Sequence, residues 1–256
     1  MQWFVLFTII VAIIYWAFTK KTTSIINQVS IESIVDLLER EVNFYRQIVG
    51  QESKRIFAKR VTHFIETTRF TDVGNAKHEL LDEVLIATSA LIPLYAFPEW
   101  EYHNINEILL YDDHFDAKFQ VGSQKNISGM VGDGFMNNTM ALSLVALREG
   151  FTAKDGDNTA LHEFIHLIDK ADGSMDGVPE YLIPKHLVTP WLQLIRGMIQ
   201  EIRQGETQLD GYGGTNEIEF FAVVSEYFFE KPILLQSQHP VLYAMMQKIF
   251  SAKGNP

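Results

Sequence analysis

The sequence predicts an α+β fold that is mainly helical, with a small β-sheet. Three observations lead there. Apolar residues recur at helical spacing through most of the chain. Two short runs near the middle, Ile105–Tyr111 and Thr139–Leu147, have the length and composition of strands. The composition is globular, with 47% hydrophobic and 21% charged residues in a chain of 256, and no repeat or low-complexity tract interrupts it.

The first element is an apolar run, Trp3–Phe18, in which Thr8 is the one polar residue. As a helix it would reach ~24 Å, just short of a ~30 Å hydrocarbon core. Gln2 and Thr19 can extend it, and Trp3, Tyr15 and Trp16 suit the membrane interfaces. A cleaved signal peptide would want a basic stretch ahead of the run and small residues at the cut, and "YWAFTKK" offers a poor cleavage site. The expectation is a retained N-terminal transmembrane helix. Lys20 and Lys21 behind it would hold the rest of the chain on the cytoplasmic side, as a single-pass membrane protein.

Beyond a polar tether, Leu37, Leu38, Val42, Tyr45 and Ile48 predict a helix from Ile34 to about Val49. Phe57, Val61, Phe64 and Ile65 predict a second. Asp82–Phe97 is apolar nearly all round and reads as a buried helix ending near Pro93. After the strand Ile105–Tyr111, Gly129–Asn138 reads as loop or hairpin, followed by the strand Thr139–Leu147. Helix returns at Asn158–Lys170, with Asp155, Asp157 and Asn158 as possible caps. Ala171–Glu180 is rich in turn residues, and the helix beginning at Trp191 stops at Gly205. Asp210–Glu217 is a loop, and Glu217–Lys231 a helix stopped by Pro232. The organisation expected is an anchor (1–23), a helical part (24–100) and a part that also holds the strands (101–256).

The formal charge of −11 argues against nucleic acid as the main partner, since phosphate contacts need clustered Lys and Arg. It would suit basic peptides better. The absence of cysteine excludes disulfides, thiol nucleophiles and Cys-ligated zinc. The asparagines in "QKNIS" and "MNNTM" fit a glycosylation pattern that a cytoplasmic domain would not use.

The chemistry concentrates in "ALHEFIHLID". His162 and His166 lie one helical turn apart and share a face, so both imidazoles can reach one cation. Glu163 stands one position round, where a carboxylate can take a proton from water activated by that ion. Asp169 could hold the second N–H of a histidine. The plain alternative is an ordinary helix carrying two histidines, but Leu161, Phe164, Ile165 and Ile168 would bury this one. The remaining histidines, His63, His78, His103, His114, His186 and His239, are scattered and read as surface or core.

A third ligand must come from elsewhere, because Asp169 and Asp172 stand where a metzincin would need Gly and His. Glu217, Glu219 and Glu226 are available. Glu219 and Glu226 lie on one helical face, with small Ala222 between them to allow close approach of another helix. That pattern suits Glu219 as the ligand and Glu226 as acceptor for a ligand histidine. Asn216 followed by Glu219 is also a capping-box pattern, and the residues alone leave both readings open. Tyr212, in a glycine-rich loop, could donate a hydrogen bond to an oxyanion or simply plug a turn.

"HEFIHLID", "ADGSMDGVP" and "EFFAVVSEYFFEKP" resemble the Mlc titration factor A (MtfA) family of zinc-dependent peptidases, with weaker similarity from about Ile34 to the C-terminus. The resemblance implies a zincin-like catalytic domain with His162, His166 and Glu219 on Zn2+, Glu163 as catalytic base and Tyr212 beside the metal. It implies peptide hydrolysis, with a peptide or protein as substrate. The family's name also implies a second possibility, a membrane-tethered regulator that binds a transcription factor or other protein, its zinc mainly structural. The strand Thr139–Leu147 is expected to offer a free edge to an extended peptide.

Overall fold

The computed structural model describes residues 30–122, 126–132, 134–152 and 158–251. The apolar run Trp3–Phe18 and the possible caps Asp155 and Asp157 lie outside the described residues. Among the described residues no helix is long and apolar enough to cross a membrane.

The periodic stretch from Ile34 forms two helices rather than one, α1 (Ile31–Glu41) and α2 (Asn43–Gln47). Val42 between them is extended (φ −108°, ψ 104°) and buried. The Arg46 guanidinium takes up the carbonyls of Glu39 and Arg40 released at the break, at 3.1 and 2.7 Å. Helix α3 (Gln51–Thr67) follows the predicted spacing. Helix α4 (Leu80–Leu91) opens with a reciprocal capping box between Glu79 and Asp82 and ends just ahead of Pro93. The turns after it are held by Arg60, whose guanidinium donates to the carbonyls of Leu94, Phe97 and Trp100.

Four strands make one sheet in the order β1-β2-β4-β3. Strands β1 (Arg69–Asp72), β2 (Glu107–Tyr111) and β4 (Thr139–Ser143) are parallel, with Arg69 opposite Glu107 and Glu107 opposite Thr139. Strand β3 (Gly129–Val131) pairs antiparallel with β4, placing Gly129 opposite Leu142. The loop-or-hairpin reading of Gly129–Asn138 is therefore a hairpin. Two expectations are corrected. The strand beginning at Thr139 stops at Ser143, whose Oγ accepts the Ala146 N–H at 3.3 Å as the chain turns into helix α5 (Leu144–Thr152). Strand β4 also has no free edge, because β2 and β3 occupy both sides of it; the outer strands of the sheet are β1 and β3.

Helix α6 (Thr159–Asp169) runs between two apolar clusters. Ala160, Phe164 and Leu167 join the one built on α1, α3, α4 and the sheet. Ile165 and Ile168 join the other, built on α7 (Val188–Gln204), α8 (Glu217–Glu230) and the C-terminal helices. With two faces of α6 committed to apolar packing, His162, Glu163 and His166 occupy the strip that remains. Pro232 does stop α8, and it also opens a new helix, α9 (Pro232–Gln238), followed by α10 (Pro240–Ile249).

Candidate metal centre

Asn158 starts α6. Its side-chain oxygen accepts the Leu161 N–H at 3.0 Å, which satisfies one of the free amides of the first turn. Its own backbone N–H donates to Glu226 Oε2 on α8 at 2.8 Å, and its side-chain amide reaches Glu230 Oε1 at 3.2 Å. The helix bearing the histidines is thus tied at its first residue to the helix bearing the glutamates.

One turn into α6 the two imidazoles stand edge to face, with ring centroids 4.7 Å apart. His162 Nδ1 lies 2.6 Å from Glu226 Oε1. That contact puts a proton on Nδ1, since a carboxylate can only accept, and turns Nε2 away from Glu226. On that far side His162 Nε2 is 3.1 Å and His166 Nε2 is 3.4 Å from the same atom, Glu219 Oε2. Asn216 caps α8 by accepting the Glu219 N–H at 2.9 Å, but the Glu219 carboxylate turns toward the histidines instead of back to the cap. Both sequence readings of this residue pair therefore meet in one place: Asn216 does the capping and Glu219 faces the imidazoles.

His162, His166 and Glu219 each offer one ligand atom, and these atoms lie within 4.8 Å of one another. Two imidazole nitrogens and a carboxylate oxygen converging so closely could hold a metal ion, and this donor set is one that divalent metals accept. Their mutual attraction is strong. Burial works against charge on His162, yet hydrogen bonds to Glu219 and Glu226 lift its pKa to about 10. Burial raises Glu219 as well, but hydrogen bonds to His162 and His166 outweigh it and bring that carboxyl to about 2.

Glu163 is buried beside the cluster, and burial raises its pKa against the pull of His162 and His166. It faces Gly129 at the start of β3: a Cβ built there would meet Glu163 Oε1 at 2.8 Å. A cleft of about 460 Å³ opens here, lined among others by Gly129, His162, Glu163, Tyr212 and Val223. Tyr212 sits on a 3-10 turn, Gly211–Gly214, whose entry is capped by Asp210 accepting the Tyr212 N–H at 2.7 Å. Its ring lies 6.0 Å from that of His162. The phenol is half exposed, and burial, the charge of Glu219 and a hydrogen bond to Glu219 raise its pKa.

Asp169 departs from expectation. Its Oδ2 accepts the Gly177 N–H at 2.8 Å, and it makes no hydrogen bond to either imidazole among the described residues. Burial raises its pKa to about 6, which the Gly177 bond opposes. Sequence reasoning named Asn158 only as a cap and missed Gly129, Gly177 and Asp210. Their roles depend on partners distant in sequence, or, for Asp210, on a two-residue turn inside a loop.

A family model described as Glucose-regulated metallo-peptidase M90 matches residues 16–251. The chain belongs to this family. Metallopeptidase membership agrees with the His162–His166–Glu219 cluster. Among its relatives, an uncharacterized protein of Synechocystis sp. is 30% identical over 229 residues, covering 84% of this chain and 82% of the relative. Mlc titration factor A of Escherichia fergusonii is 27% identical over 211 residues, 77% of each chain. Mlc titration factor A of Serratia proteamaculans is 28% identical over 175 residues, 61% of this chain and 66% of the relative. The resemblance drawn from "HEFIHLID", "ADGSMDGVP" and "EFFAVVSEYFFEKP" is to this same family.

Proposed function

We propose that the chain is a zinc-dependent peptidase in which His162, His166 and Glu219 hold the metal, Glu163 is the general base and Tyr212 assists at the oxyanion. The observation that carries this reading is the convergence of the three ligand atoms within 4.8 Å beside a buried fourth carboxylate, Glu163. A structural zinc site closes its coordination with protein and needs no base. When bound, zinc acts as a Lewis acid that lowers the pKa of a water from ~15.7 toward ~7 and polarises a carbonyl.

The protein's own contributions follow from the geometry. Glu226 fixes the His162 tautomer through Nδ1, so that Nε2 keeps its lone pair for the ion. Glu163, whose pKa burial raises, would accept a proton from water and return it to the leaving amine. Tyr212, whose ring lies 6.0 Å from that of His162, would donate from its phenol to the developing oxyanion. The free edge of β3 starts at Gly129, against Glu163, so a peptide pairing with it as an added strand would pass the base.

The test is Glu163→Gln in the full chain with a peptide library. Zinc content should be unchanged while hydrolysis falls ~10²–10⁴-fold. Tyr212→Phe should lower turnover with zinc retained. Full activity in Glu163→Gln would overturn the proposal. The relatives named Mlc titration factor A support a second reading, a regulator that binds a transcription factor or other protein, with zinc mainly structural. Glu163→Gln separates the two, since a regulator would keep its biological effect. We further propose that Trp3–Phe18 tethers the protein to the membrane with the catalytic part in the cytoplasm; protection of that part from protease in inverted vesicles would sink this orientation.

A further inference from the structure

The "ADGSMDGVP" stretch connects the end of α6 to the rest of the second apolar cluster, and its glycine at 177 touches three elements at once. The Gly177 N–H donates to Asp169 Oδ2 on α6 at 2.8 Å. The Gly177 carbonyl accepts the indole N–H of Trp191 on α7 at 2.7 Å. Gly177 is buried, and so is Trp191, whose ring packs near Phe220 and Phe221 of α8. Both polar backbone groups of this buried residue are therefore satisfied.

The third contact is steric. A Cβ at Gly177 would lie 2.4 Å from the carbonyl oxygen of Glu217 and 2.8 Å from its carbonyl carbon, in the first turn of α8. Those neighbours are backbone and cannot swing aside. The residue also has φ +78°, which favours glycine. Glu217 is two residues before Glu219 on the same turn. On the other side, Asp169 is one turn beyond His166 on α6.

We infer that Gly177 is a positioning residue for the metal centre, wedged between the helix of the two imidazoles and the first turn of the helix of Glu219, so that the loop sets how far the carboxylate stands from the histidines. This rests on the zinc reading proposed above. Adding a methyl group must move the Glu217 backbone or the loop by about half an ångström, which is the tolerance such a constellation allows. Asp169 and Trp191 act through Gly177 and not on the ion.

The same loop contains its own control. Gly173 has φ +102°, so an alanine there is strained too, but a Cβ at 173 meets nothing within 4 Å. The experiment measures zinc affinity of the full chain by chelator competition, with circular dichroism to verify folding. Gly177→Ala should weaken zinc about 10- to 100-fold, the loss usual when outer support of a ligand is removed, while Gly173→Ala leaves it unchanged. If Gly177→Ala does not fold, Trp191→Phe decides: it removes the donor to the Gly177 carbonyl, keeps an aromatic ring and should still weaken zinc. Wild-type affinity in every folded variant among Gly177→Ala and Trp191→Phe overturns the inference, as does an equal loss in Gly173→Ala. Failure of the wild-type chain to bind zinc would overturn the metal reading itself, and this inference with it.

Discussion

Gly129 and Glu163 meet without room for a side chain between them: a Cβ on Gly129 would stand 2.7 Å from Glu163 Cγ and 2.8 Å from Oε1. The first residue of the edge strand thus backs directly onto the carboxylate proposed as base, and Thr159 Cγ2 closes the same space at 2.8 Å. Gly129→Ala should displace Glu163 while leaving the ligands in place. Turnover should fall ~10- to 100-fold, since a shift of ~1 Å at a reacting group costs about that much. Steady-state kinetics with metal analysis checks this; a normal kcat would show that Glu163 needs no such support.

Glu226 serves two donors, the His162 Nδ1–H through Oε1 and the Asn158 N–H through Oε2. Glu226→Ala should lower zinc affinity about 10- to 100-fold. It should also cost about 1–3 kcal/mol of stability, because a buried amide loses its acceptor. Chelator competition and denaturant unfolding read the two effects separately. Glu226→Gln, which still offers an oxygen, should lose less of both.

His78 lies far from the candidate metal site in sequence and predicts a pH dependence of its own. Its Nδ1 is 2.8 Å from Asp72 Oδ1 and its Nε2 is 3.1 Å from Glu83 Oε1. The Glu83 hydrogen bond raises its pKa most; burial opposes this, Asp72 adds to it, and the result is about 9. The folded value exceeds the unfolded value of ~6.5, so the folded state binds more protons in that window. This stabilisation is complete below about pH 6.5 and is lost as pH rises through about 9. After allowance for screening at the partly exposed Asp72 it amounts to about 2 kcal/mol. Urea unfolding at pH 6 and pH 10 should show the difference, and His78→Gln should flatten it.

Much of this site was legible in the sequence because its spacing is local. His162, Glu163 and His166 follow from helical geometry once Asn158 and the apolar residues fix the helix. Glu219 was ambiguous because Asn216 stands three residues before it, and only the direction of its carboxylate separates ligand from cap. Strand β1 escaped notice since "RFTD" is four residues without alternation. The start of helix α5, Leu144–Leu147, was read as strand because its apolar run continues that of β4 without a break, and the turn at Ser143 depends on one side-chain bond. Gly129 and Gly177 could be read only as turn formers. What makes them matter is the closeness of a helix 34 or 40 positions further along, which no local pattern encodes.

His162 is the first residue of α6 whose amide reaches back to the carbonyl of Asn158, at 2.9 Å. His162 therefore sits in the first turn of its helix, where the backbone amides before it find no partner within the helix itself. The hold on that turn comes from a residue outside the His162–His166–Glu219 cluster. Asn158, by closing the helix entrance and clasping the opposite wall, joins the turn of His162 to the helix that carries Glu219 and Glu226.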